Sequence, residues 1–121
     1  LYYFCEQVDA IERIKPLVQK SRENLADLKI HNVKFKHGDG FIDWSESIKY
    51  DGILCAAAPR SYPEDLVSIL KNDAKLVIPV GGSNQVLKTI KKINDNEIEE
   101  NTYDDVSFVP MLPGISEGRM D

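Results

Sequence analysis

The feature that most constrains this chain is a repeated switch between two hydrophobic periods. Short segments suited to strands occur at 8–12, 33–36, 52–56 and 75–80. Between the first two, Ile14, Leu17, Val18, Leu25 and Leu28 recur at helical spacing, with Lys15, Gln19, Lys20, Arg22 and Glu23 on the wet side. Pro16 is tolerated only in a first helical turn, which sets where that helix begins. Between the last two, Pro63 followed by Glu64 and Asp65 marks a second helix start, carrying Leu66, Val67, Ile69 and Leu70 and stopping near Asn72 and Asp73. Strands alternating with helices imply a parallel sheet. The run at 52–56 is continuously apolar and suits a strand covered on both faces.

The final third changes character. Residues 81–84 can turn the chain, 85–93 reads as a strand, and Asn94, Asp95 and Asn96 form a second turn. Strand candidates follow at 97–103 and 106–109. The expected class is therefore α/β, a parallel sheet with antiparallel strands added at one edge. At 121 residues the chain suits one domain, residues 1–121, and folding at this size hides roughly two-thirds of the unfolded surface.

With 42% hydrophobic and 29% charged residues, the composition excludes a disordered acidic tail, a collagen-like repeat or a coiled coil. Fifteen basic against 20 acidic residues give a net charge of −5, which argues against a general nucleic-acid or anionic-membrane binder. No apolar run approaches the ~20 residues that span a bilayer, and no secretory leader opens the sequence. Cys5 and Cys55 stand far apart, with only His31 and His37 as other soft ligands, so no metal site is expected. That usage suits a reducing, cytoplasmic setting. Leu1 to Phe4 run in without a cap, as though from the middle of a helix.

In an open parallel sheet, ligands bind where strand C-termini and their loops converge. Three loops fall there. Glu12 ends the first strand and suits a ribose diol. Asp39, flanked by Gly38 and Gly40, suits an exocyclic amine, with the backbone N–H of Gly40 or Phe41 facing a ring nitrogen. Residues 56–59 follow the third strand. Each has a plain alternative: Glu12 as a solvated first-turn acid, 38–40 as a tight turn, the alanines as packing, Trp44 as a core or rim aromatic, and His37 as a strand-end histidine with a local hydrogen bond. Their order along three successive strand ends favours a nucleoside pocket.

Five strings then resemble the protein-L-isoaspartate O-methyltransferases, in that family's order: Ala-Ile-Glu-Arg at 10–13, His-Gly-Asp-Gly-Phe at 37–41, Asp-Gly-Ile-Leu-Cys-Ala-Ala-Ala-Pro at 51–59, Leu-Val-Ile-Pro-Val-Gly at 76–81, and Phe-Val-Pro-Met at 108–111. The resemblance implies a Rossmann-like class I methyltransferase sheet, here its C-terminal part. It implies S-adenosyl-L-methionine as cofactor and methylation of the α-carboxyl of isoaspartyl residues in damaged proteins, a repair reaction. Glu12 then matches the ribose-holding acid, and Asp39 and Gly40 the adenine-contacting pair. Ala57, Ala58, Pro59, Val109 and Pro110 match segments near the isoaspartyl substrate.

The family's glycine-rich first motif and central first strand, and the segment carrying its active-site serine, have no counterpart in these residues. The chain thus reads as a partial methyltransferase domain without a catalytic side chain of its own. It is expected to be weak or inactive alone, with its first and third strands either paired directly or self-associating through the edges left bare. Another methyltransferase acting on a small molecule or RNA, or a noncatalytic remnant of the fold, are the competing readings.

Overall fold

The computed structural model describes residues 4–40, 44, 48–61 and 63–117. They fall into two compact units, residues 1–43 with 113–121, and residues 44–112. No helix among the described residues is long and apolar enough to cross a membrane.

The first unit is built on two parallel strands. β1 (Val8–Glu12) pairs with β2 (Val33–His37) in a register that sets Val8 opposite Val33 and Glu12 opposite His37. The crossover is α1 (Lys15–Asp27), with proline in its first turn and Val18 fully buried. No side chain caps α1, and its N-cap residue is Ile14. Its end is nonetheless satisfied. Leu17 and Val18 N–H both donate to Ile14 O, at 3.1 and 3.3 Å, and Pro16 has no N–H to satisfy. The remaining donor, Lys15 N–H, reaches the carbonyl of Ser116 at 2.9 Å.

The second unit carries a four-stranded sheet in the order β3-β4-β5-β6. β3 (Tyr50–Leu54) and β4 (Leu70–Gly81) are parallel, joined through the short helix α2 (Glu64–Ser68). β5 (Gln85–Asn94) and β6 (Glu97–Val106) add antiparallel by hairpins. Leu66, Ile69, Leu70, Ala74, Leu76, Ile78 and Ile90 form the core, with Trp44 and Tyr50 packed against it edge to face at 5.7 Å. Trp44 is therefore a core-rim aromatic. Lys92 is buried here, and its charge is met by the carbonyls of Ser68 at 3.2 Å and Leu70 at 3.0 Å, where α2 passes into β4.

The α/β class, with parallel strands first and antiparallel strands after, is as expected. Several details differ. α2 stops at Ser68, because Leu70 pairs with Tyr50 and starts β4 five residues early. In place of the anticipated helix stop at Asn72 and Asp73 there is a break within β4: between the pairs Tyr50–Leu70 and Gly52–Lys75 one residue of β3 stands opposite four of β4, and Asp73 sits at φ 68°. β3 is covered less than its apolar run suggests, with Leu54 61% exposed, because it pairs with β4 alone among the described residues. Among the described residues β1 and β3 belong to separate sheets, so of the two outcomes expected for them direct pairing is not the one formed. The strand candidate at 97–103 runs on to Val106 as β6, with a bulge where Val86 faces Asp105 but Lys88 faces Thr102, whereas 107–109 of the last candidate lie outside any strand. Residues 4–7 are not helical, since so short a segment cannot close a nucleating turn, and Leu1 to Tyr3 lie outside the described residues.

The β4–β5 turn depends on one glycine. Gly81 has φ 139°, and a Cβ built there would lie 2.0 Å from Asn84 O. Gly81→Ala is expected to lower stability by about 1–3 kcal/mol. Urea denaturation should show a reduced midpoint at unchanged slope. Gly82→Ala, where a Cβ meets nothing within 4 Å, should stay within about 0.5 kcal/mol of the parent.

Candidate functional site

The register of β1 on β2 decides the first cluster. Glu12 faces His37, and Gly38 N–H continues the ladder to Glu12 O at 3.0 Å, so Asp39 follows at the same end of the same two strands. Glu12 Oε2 accepts from Arg13 N–H at 2.8 Å, which fixes the carboxylate against its own backbone. Its other oxygen has no hydrogen bond among the described residues. One residue on, Arg13 Nε is buried without a partner among those residues. Asp39 is 6% exposed, and its Oδ2 accepts from Gly114 N–H at 2.8 Å. This bond helps to orient the Asp39 carboxylate. Gly40 lies beside it, half-buried; Phe41 is outside the described residues.

Gly114 belongs to a strap, residues 113–117, whose role the sequence reading did not anticipate. Ser116 forms a parallel bridge with Ile14 and donates its N–H to Arg13 O at 2.7 Å. His37 Nε2 stands 2.9 Å from Arg13 O and 3.1 Å from Ser116 O. Both are carbonyls and only accept, so this nitrogen carries the proton. The histidine's hydrogen bonds thus reach 79 positions along the chain, beyond the local contact expected of it. The one sequence signal for the strap is the Pro113-Gly114 dipeptide, and Gly114 does adopt φ 76°.

The second cluster lies in the other unit. Ala58 bridges Pro110: its N–H donates to Val109 O at 2.8 Å, and its carbonyl accepts from Met111 N–H at 3.0 Å. Pro59 O accepts from Gly81 N–H at 2.9 Å. The Gln85 side chain clamps Phe108, accepting from its N–H at 2.7 Å and donating to its carbonyl at 3.0 Å. Hence the strings at 51–59, 76–81 and 108–111 are bonded into one surface. Within it Ala58 and Pro59 are buried, Ala57 is half-buried, and Val109 and Pro110 are exposed.

Cys55 sits under this surface, its Sγ 3.2 Å from Ala57 O and 3.7 Å from Met111 Sδ. Both cysteines are free. Burial pushes the Cys55 thiol up from its ordinary value, against a smaller pull from the Ala57 backbone. The folded state thus holds this proton to higher pH than the unfolded chain does, so the associated stability is fully present below the unfolded value and is lost as pH rises from there through the raised folded value. Iodoacetamide at pH 8 is expected to label exposed Cys5 at least about tenfold faster than Cys55. Peptide mass spectrometry should show the two rates converging in urea.

The model of the protein-L-isoaspartate(D-aspartate) O-methyltransferase family matches residues 4–115, and the chain belongs to that family. It is 42% identical over 114 residues to a protein-L-isoaspartate O-methyltransferase of Saccharophagus degradans, covering 92% of this chain and 50% of the relative. To one of Hahella chejuensis it is 43% identical over 110 residues, covering 90% and 52%. A structure from Plasmodium falciparum, described as a beta-aspartate methyltransferase in complex with S-adenosyl-L-homocysteine, superimposes with a TM-score of 0.76 at 34% identity. It is covered to 52%, and this chain to 88%. The chain thus spans about half the length of the curated relatives it matches.

Proposed function

We propose that this chain supplies the adenosine-binding strand ends and the substrate-side surface of an S-adenosyl-L-methionine-dependent methyltransferase. The acceptor is the α-carboxyl of an L-isoaspartyl residue in a damaged protein. The observation that carries the reading is the placement of Glu12 and Asp39 at one end of two neighbouring parallel strands. The Plasmodium falciparum relative, with its bound S-adenosyl-L-homocysteine, supports the choice of cofactor.

The donor set fits such a group. Glu12 has one oxygen anchored and one without a partner among the described residues, as a ribose hydroxyl pair requires. Asp39, oriented by Gly114, is an acceptor for an exocyclic amine, and Gly40 lets a flat base approach the main chain. Bound there, the cofactor supplies a sulfonium-activated methyl group. On the acceptor side, an α-carboxylate has a reference pKa of about 3.3–3.7, so it is ionised at neutral pH and needs no strong base. What the protein must add is alignment and a dry surface. Ala57, Val109 and Pro110 offer side chains and backbone to the isoaspartyl segment, while Ala58 and Pro59 hold that surface in shape from beneath.

In the resulting proposal, residues 1–121 form part of a methyltransferase domain that works in the cytoplasm on isoaspartyl proteins, without nucleic-acid or membrane partners. A protein of full family length bearing this chain should methylate an isoaspartyl peptide and not its aspartyl counterpart. Glu12→Ala and Asp39→Ala should each raise the KM for S-adenosylmethionine at least about tenfold, as expected for losing hydrogen bonds to a charged group. Methylation of RNA or a small molecule in place of the peptide would overturn the choice of acceptor.

The 121-residue chain alone, lacking the glycine loop that the resemblance places upstream, should show no micromolar cofactor binding by calorimetry. The bare edges of β1 and β3 should make its sedimentation depend on concentration. Tight binding by a strict monomer would contradict both expectations.

A further inference from the structure

We infer that His37 is a positioning residue for cofactor binding, acting by docking the 113–117 strap onto the strand ends that carry Glu12 and Asp39; this rests on the proposed adenosine site. The geometry is a closed set of backbone bonds with one side chain at its centre. Ser116 N–H binds Arg13 O, Ser116 O binds Lys15 N–H, and His37 Nε2–H is shared between those same two carbonyls. One residue before Arg13 is Glu12, and two residues after His37 is Asp39. The strap closes on Asp39 as well, through Gly114 N–H. An ion pair between Lys15 and Glu117 adds little, because both side chains are at least half exposed.

Removing the His37 donor takes a partner from two carbonyls and detaches the side chain that holds the strap. Asp39 then loses its fixed orientation, and α1 loses the contact that satisfies Lys15 N–H. The surface formed by Ala57, Val109 and Pro110 is held by its own backbone bonds, between Ala58 and residues 109 and 111. A defect confined to one substrate is therefore expected.

The test compares His37→Leu, His37→Gln and Gly114→Ala in a protein of full family length. Glutamine keeps an N–H donor near the position of Nε2. Alanine at φ 76° strains the strap without altering His37 or Asp39. Leucine and Gly114→Ala are expected to raise the KM for S-adenosylmethionine about tenfold while the KM for the isoaspartyl peptide moves less than about twofold. Glutamine should recover most of the loss. Equal losses for both substrates, or no recovery with glutamine, would show a purely structural histidine and sink the proposal.

Amide hydrogen exchange on the 121-residue chain separates this from failure of the functional reading. Protection at Lys15, Gly114 and Ser116 should fall at least about tenfold in His37→Leu whether or not any methyl donor binds. Unchanged protection at these three amides would overturn the docking role itself. Intact docking control in a full-length protein that binds no S-adenosylmethionine would refute the adenosine site, and with it the positioning role.

Discussion

The structure turns on how backbone groups are satisfied where β1 and β2 run out. A parallel pair leaves carbonyls and amides pointing past its last rung, and buried ones must find partners. Here the ladder extends through Gly38 N–H to Glu12 O, and Arg13 O then accepts from both Ser116 and His37. α1 begins at the same place with no side-chain cap, and its first amide is met by the same Ser116. Two loop ends and a helix start are thus completed together. The carboxylates of Glu12 and Asp39 owe their fixed placement to that completion.

The five strings shared with the family have a common physical logic. Two of them end β1 and β2 and carry the acids. The other three meet through Ala58, Pro59, Gly81 and Pro110, where nearly every bond is between backbone groups. Alanine, proline and glycine serve such a surface because they leave the main chain accessible or hold it in a set shape. Side chains with chemistry of their own are scarce in it, which agrees with the proposed methyl transfer, whose nucleophile and leaving group would both be activated beforehand.

Much of this was legible before any coordinates. β1 and α1 were readable because Val8, Ala10 and Ile11 precede a helical period whose start is set by a proline in its first turn. α2 was overextended because Leu66, Val67, Ile69 and Leu70 satisfy a helical period and a buried strand start equally well. The pairing of Leu70 with Tyr50 decided it, and pairing partners are not written locally. The acids at 12 and 39 were found because side-chain chemistry at strand ends is visible in a sequence. The strap was missed because it works through the amides of Gly114 and Ser116 and the carbonyl of Ser116, groups that nearly every residue possesses. His37 looked unremarkable for the same reason: its partners are main-chain oxygens.

The discontinuity of the first unit has a consequence for how the chain acquires its structure. β3 to β6 close through near neighbours in the sequence, the last three strands by tight hairpins, so that unit can assemble as soon as it is synthesised. β1, α1 and β2 emerge earlier, yet Lys15 waits for a carbonyl 101 residues downstream, the interval from 15 to 116. Loop closure over that span is entropically slow to reward. The ends of β1 and β2 are therefore completed only after residues 113–117 have been added, later than the unit that follows them in the sequence.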